Sequence, residues 1–295
     1  MKGSSVRLTK ALTIMAIAGI GTLGLTACTD SGASVPSTST PEATVEFEPG
    51  TTMARLHDAG AIVVGTKFDQ PLFGQVNADG TPQGFDVEIA KIVASALGIP
   101  ESGIRWVETV SANREPFIQS GQVDIVVATY TVNDKRKEVV SFAGPYYNAG
   151  QDILVLAGNP QQITGPEDLA GKPVCTVAGS TSEANIKKYT DQVTALAGYA
   201  DCLPLVSSGQ VAALTTDNVI LAGLAANSNG EFEVVGNPFT EEPYGIGLAH
   251  DDTDFRMFIN DALEAAITDG SWAKAWERTA GTQLSLPTAP TIDRY

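Results

Sequence analysis

Apolar and polar positions along this chain follow two periodicities in turn. Residues 61–65 (AIVVG) form a short continuous apolar run, as a buried strand does, and 104–107 (IRWV) and 123–127 (VDIVV) read as further strands. Between them Phe85, Ile89, Ile92, Val93 and Ala96 recur at helical spacing. Asp86 and Glu88 sit near the start of that helix, where its dipole favours acids. A short helix is expected at 52–58, a turn at 77–80 (NADG) and another helix near 113–121. The strand–helix–strand rhythm predicts a largely parallel sheet.

The rhythm breaks near 148–150 (NAG) and then repeats. Residues 173–177 (PVCTV) predict a strand running into Gly179-Ser180-Thr181-Ser182 and a helix. A further helix–strand pair ends at 213–217 (ALTTD), and 253–280 returns to amphipathic helices carrying Trp272 and Trp276. The fold class expected is therefore α/β, with two lobes, each a mostly parallel sheet flanked by helices. A cleft lies between the lobes, at the strand ends where such sheets bind ligands.

The N-terminal segment has a different grammar. Lys2, Arg7 and Lys10 precede an apolar run at 11–25 that is too short for a comfortable membrane span, which reads as a secretory signal. It ends in Leu25-Thr26-Ala27-Cys28, which resembles a bacterial lipobox. Residues 1–27 are thus expected to be a lipoprotein signal peptide and Cys28 the lipid-modified residue. The alternative is an uncleaved anchor helix followed by a buried cysteine. A GxGxxG pattern at 19–24 lies inside this signal, with neither a strand before it nor an acidic ribose partner after it, so dinucleotide binding is rejected. Residues 28–50, rich in Ser, Thr and Pro, read as a lipidated tether, and 282–295 as a similarly loose C-terminal tail.

Composition narrows the chemistry. With 43% apolar residues in 295, the chain can bury a sizeable core. Its formal charge of −16 repels phosphate backbones and excludes a nucleic-acid partner. An anionic ligand must be drawn in by local positive charge. The chain has no CxxC, HExxH or EF-hand loop, so neither a metal site nor a cofactor is expected.

Several spaced motifs then carry a resemblance. Gly84-Phe85-Asp86-Val87-Glu88-Ile89-Ala90 resembles the signature of the family 3 solute-binding proteins, the polar amino-acid receptors of ABC importers. Thr129-Tyr130-Thr131-Val132-Asn133-Asp134-Lys135-Arg136, followed by Phe142 and Pro145-Tyr146-Tyr147, resembles that family's ligand-clamping segment. Gly179-Ser180-Thr181 and Asp217 fall where the second lobe contributes, and Tyr244-Gly245-Ile246-Gly247 resembles the return crossover. The likeness covers about 51–281 and is nearest to the glutamate/aspartate-binding branch, especially the actinobacterial lipoproteins. It implies a type II periplasmic-binding-protein-like fold with lobe 1 at 51–148 and 244–281 and lobe 2 at 149–243. It also implies a monomer that is not an enzyme, held on the extracytoplasmic face of the cell membrane, with an ABC permease and its ATPase as partners.

The resemblance assigns roles to residues. Arg136 is expected to hold the ligand α-carboxylate, for which the planar guanidinium fork is suited, with Thr129 and Thr131 assisting. Asp217 is expected to accept the α-ammonium; capping the helix that follows is compatible with this. Ser180 and Thr181 open a helix and either contact a carboxylate or simply cap it. Lys67 stands where many relatives carry an acid, and Arg114 stands where an aromatic residue stacks on ligands in other branches. Together they imply an acidic side chain, glutamate or aspartate, with glutamine binding more weakly; surface charge is the alternative for each. Tyr130 and Tyr244 either line the pocket or pack beside it. Cys175 and Cys202 fit a disulfide in an oxidising compartment, two free buried thiols being the alternative. Rival readings are a glutamine-preferring receptor, an amino-acid sensor for a membrane signalling system, and a dehydratase on the same fold.

Overall fold

The structure is a computed structural model that describes residues 46–295; the signal segment, Cys28 and most of the tether lie outside the described residues. Helix α1 (Thr52–Ala59) starts at Thr51, whose hydroxyl accepts the Ala54 N–H, and stops at Gly60 in the left-handed conformation. Strand β1 (Ile62–Thr66) follows. Next comes a small antiparallel sheet of β2 (Asp69–Gln70), β3 (Gly74–Val76) and β4 (Pro82–Gln83). Helix α2 (Phe85–Ala96) begins at Gly84, where a Cβ would lie 2.3 Å from the backbone of Phe73. The bare glycine lets the helix start press against 72–73, so that the carbonyls of Leu72 and Phe73 accept the otherwise orphaned N–H groups of Phe85 and Asp86.

The first half continues through β5 (Ile104–Glu108), α3 (Arg114–Gln119), β6 (Ile125–Val126), α4 (Asp134–Lys137) and β7 (Ser141–Ala149). The second half comprises β8 (Gln151–Leu156), β9 (Val174–Val177), α5 (Thr181–Ile186), β10 (Val193–Leu196), α6 (Leu203–Ser207), β11 (Ala213–Asp217), α7 (Asn218–Ala226) and β12 (Phe232–Val234). Strand β13 (Glu242–Leu248) returns to the first sheet, and α8 (Thr253–Asp269) and α9 (Ser271–Arg278) pack on that side.

Two five-stranded sheets result, in the orders β5-β1-β6-β13-β7 and β10-β9-β11-β8-β12. Within each, the first three strands are parallel, as the alternating pattern predicts, and two further strands joined by antiparallel pairings extend the edge. The added strands are those nearest the crossings: β7 passes into β8 through Gly150, and β13 re-enters beside β7. Among the described residues no helix is long and apolar enough to cross a membrane.

An aromatic core locks α2, α8 and α9 to the first sheet. Phe73 and Phe85 are fully buried, Trp276 stacks on Tyr147 with 5.1 Å between ring centroids, and the Trp272 indole N–H donates to the Tyr146 carbonyl. Each such ring contributes about 2–3 kcal/mol by leaving water. In the second half a Cys175–Cys202 disulfide joins β9 to the turn before α6. Residues 283–295 carry no regular structure but are not loose. The Tyr295 hydroxyl accepts the Phe142 N–H, its ring lies under Lys137 and Arg256, and Arg294 pairs with Asp261 and Glu264. These anchors lie far back in the chain, so the polar composition of the segment gives no hint of them.

Candidate functional site

The loops at the ends of β1, β5 and β6 converge with α4 on one side of the site. Its floor is a network around Asp86, a fully buried carboxylate that accepts the Thr129 N–H at 2.7 Å and the Tyr146 hydroxyl at 2.7 Å. Burial raises its pKa to about 7 against the opposing pull of these bonds. Thr129 stands at φ 45°, a left-handed conformation that a β-branched residue adopts at a cost of about 1–3 kcal/mol. Besides Asp86, two side chains hold it there. Its hydroxyl donates to Gln70 Oε1, and its carbonyl accepts from Arg114 Nη1.

Three cations surround this strained residue, and none is a surface charge. Lys67, Arg114 and Arg136 are 3%, 3% and 8% exposed. Lys67 Nζ donates to Ser111 Oγ at 2.9 Å. Arg114 spends Nε on the Ser111 carbonyl and Nη1 on the carbonyls of Ala128 and Thr129, leaving both N–H groups of Nη2. Arg136 gives Nε to Glu115, Nη1 to the Thr131 carbonyl and Nη2 to the Gly179 carbonyl; the second N–H of each terminal nitrogen is left over. Burial and then Arg114 drive the Lys67 pKa down to about 7, and the same two causes bring Arg136 down to about 10. Tyr130 is fully buried under both guanidiniums, 4.3 Å from Arg114 and 4.9 Å from Arg136, and packs edge-on to Phe142. It supports the cations from below. Gly247 makes room for it, since a Cβ there would meet the Tyr130 ring at 2.7 Å.

The second half faces this cluster with acids. Asp217 ends β11 and is 4% exposed; one oxygen accepts the Tyr244 hydroxyl at 2.6 Å and the other is buried with no hydrogen-bond partner. Its side chain does not cap α7. Burial, and next the charge of Glu242, raises its pKa to about 7. Ser180 Oγ accepts the Glu183 N–H and donates to the Val177 carbonyl, which is the capping arrangement. The Thr181 hydroxyl donates to Glu242, which also accepts from Thr240 and Asn185. Both hydroxyls of this turn are therefore spent within the protein.

The two halves meet around this space. Arg136 reaches Gly179, Tyr244 reaches Asp217, and Asp69 accepts the Tyr199 N–H at 2.8 Å. A recess of about 490 Å³ opens above Arg136, between Glu115 and Asn133 on one side and Thr181 and Glu183 on the other. The structure brings Lys67, Arg114, Thr129, Thr131, Arg136, Asp217 and Tyr244 to one place. It adds polar residues that the sequence pattern did not single out as site residues, namely Gln70, Asp86, Glu115 and Glu242. Gln70 is fully buried and its amide nitrogen has no partner. Of these four, Asp86 lies in the signature at 84–90 and Gln70 in the loop segment 65–71 that carries Lys67.

Residues 62–281 match the model of the bacterial extracellular solute-binding proteins, family 3. The glutamate-binding protein GluB of Corynebacterium efficiens is 38% identical over 280 residues, covering 91% of this chain and 88% of that protein. The ABC transporter glutamine-binding protein GlnH of Bacillus subtilis is 37% identical over 231 residues, covering 77% and 84%. Among solved structures, an ancestral arginine-binding protein bound to glutamine superposes with a TM-score of 0.69 at 35% identity, covering 75% of this chain and 97% of that one. The chain belongs to family 3 of the bacterial extracellular solute-binding proteins.

Proposed function

We propose that this protein captures glutamate between its two halves and delivers it to an ABC importer, tethered to the outer face of the membrane by lipid on Cys28. The observation that carries the ligand class is the charge arrangement. Three buried cations crowd one side and keep N–H groups to spare, while a buried carboxylate oxygen without a partner faces them from the other half. Burial first, and then repulsion from Arg114, lowers the Lys67 and Arg136 values. An amino acid with a second carboxylate relieves that repulsion and gives Asp217 an ammonium partner.

In this reading the spare N–H groups of Arg136 take the α-carboxylate, and Asp217 takes the ammonium, with Tyr244 holding it in place. Lys67 and Arg114 take the side-chain carboxylate. Thr129 and Thr131 shape the wall, and the turn at Ser180 and Thr181 contributes only the Thr181 backbone N–H, since that of Ser180 already goes to the Val177 carbonyl. Contacts to both halves favour the closed arrangement and shift the population toward it. Delivery to an importer is supported by the family and by the ABC-transporter relative. That relative is a glutamine-binding protein, so glutamine is the second ligand to weigh.

A melting-temperature screen of the amino acids tests the proposal, since a ligand binding only the native state at a hundred times its Kd adds about 2.7 kcal/mol. Glutamate is expected to give the largest rise and arginine none. No rise with any amino acid would refute the function, and a larger rise with glutamine would refute the acidic preference.

A further inference from the structure

Asp69 lies in β2, on the loop that follows Lys67, yet its carboxylate turns to the opposite half. It accepts the Tyr199 N–H at 2.8 Å. The approach depends on Gly198, where a Cβ would stand 2.8 Å from Asp69 Oδ2. Two residues further along, the Pro71 carbonyl abuts Gly223 of α7, where a Cβ would lie 2.4 Å away. The small sheet of the first half thus grips the second half at two side-chain-free positions, and Asp69 supplies the directed bond. The roles assigned above to Arg136, Asp217, Lys67 and Arg114 leave Asp69 without a ligand contact.

We infer that Asp69 is a positioning residue for binding, a latch that holds the two halves together by taking the Tyr199 N–H. Its contribution is to the closed–open balance and is therefore shared by every ligand. A hydrogen bond of this kind shifts that balance by up to about tenfold. Asp69 also sits close enough to Lys67 to support its charge, so removing the carboxylate alone mixes two effects. Gly198→Ala separates them, because it pushes Asp69 off Tyr199 without altering any charge. Asp69→Asn does so from the other direction, keeping an acceptor oxygen while removing the charge.

The inference rests on the reading of the two halves as an amino-acid clamp. The test uses the full chain, with its disulfide intact, carrying a fluorescence-transfer dye pair at Glu138→Cys and Lys187→Cys on the two sides of the recess. Glutamate and glutamine affinities are measured by calorimetry, and the closed fraction without ligand is read from the dyes. Asp69→Ala and Gly198→Ala are expected to lower glutamine affinity about tenfold and to lower the closed fraction, while Asp69→Asn retains most of both. Unchanged glutamine affinity and closed fraction in both alanine variants would overturn the latch. A parent protein that binds neither amino acid overturns the clamp reading itself.

Discussion

The sharpest consequence of the charge arrangement is a separation between glutamate and glutamine that depends on one side chain. Lys67 is almost fully buried, holds one hydrogen bond to Ser111 and has its pKa lowered to about 7 by burial and then by Arg114. Lys67→Met keeps an unbranched side chain of similar reach and removes only the ammonium. Breaking a buried ion pair by deleting one partner costs about 3–5 kcal/mol, so glutamate affinity should fall between about a hundred-fold and a few thousand-fold. Glutamine loses one hydrogen bond from that ammonium to an uncharged amide oxygen, worth about 1.5–3 kcal/mol, or roughly ten- to a hundred-and-fifty-fold, less than the loss for glutamate. The pH dependence gives an independent check. Glutamate needs Lys67 charged, so above pH 7 the glutamate-to-glutamine affinity ratio of the parent protein should drop about tenfold per pH unit, whereas in Lys67→Met it should be flat. The ligand ammonium cancels from this ratio because both amino acids carry it. Isothermal calorimetry from pH 6 to 9 measures both effects. Equal losses for the two ligands, or a parent ratio indifferent to pH, would refute the placement of Lys67 against the side-chain carboxylate.

Further outcomes follow from Asp217 and from the disulfide. Asp217, raised to about 7 by burial and then by Glu242, must be ionised to hold an ammonium; affinity for both amino acids should therefore fall about tenfold per pH unit below 7, and Asp217→Asn should bind weakly with that limb absent. Without ligand, a carboxylate raised above its unfolded value of 3.8 leaves its stabilising share intact below that value and loses it as pH rises to about 7, so in urea titrations Asp217→Asn should gain on the parent over that window. The Cys175–Cys202 bond spans a sequence separation of 27, and replacing both cysteines with alanine should cost about 3.5 kcal/mol of unfolding free energy; thiol titration of the unfolded, unreduced protein should find neither cysteine free.

Periodicity located β1, α2 and β11 to within a residue or so, because each carries enough apolar positions to show its period. The strands of the small sheet that presents Asp69 and Gln70 are two or three residues long, too short for any alternation to register. Charged site residues were nameable because Lys, Arg and Asp stand out within motifs. Their supports were not. Asp86 read as an acid favoured by a helix dipole, and only the fold brings it to Thr129 and Tyr146, which lie 43 and 60 residues away. Glu242 gathers Thr181 and Asn185 of α5, 61 and 57 residues back, a convergence that no local pattern encodes. Ser180 and Thr181 show the reverse: their types fit ligand contact, yet Ser180 takes the capping alternative with Val177 and Glu183, three residues to either side, and the Thr181 hydroxyl goes to Glu242, a partner that only the fold supplies.

The cations buried in the cleft carry the sign opposite to that of the molecule around them, whose formal charge is −16. Arrival and retention of an anionic solute are therefore governed by different fields. At low ionic strength the acidic exterior slows diffusional encounter, and added salt should speed it, because outward charges are screened over about 10 Å at 0.1 M. Once inside, the solute pairs with groups that salt reaches poorly, so its residence time should scarcely change. If the solute is glutamate, as proposed, capture should strengthen slightly in brine, the reverse of a protein whose anion-binding charge lies on its surface.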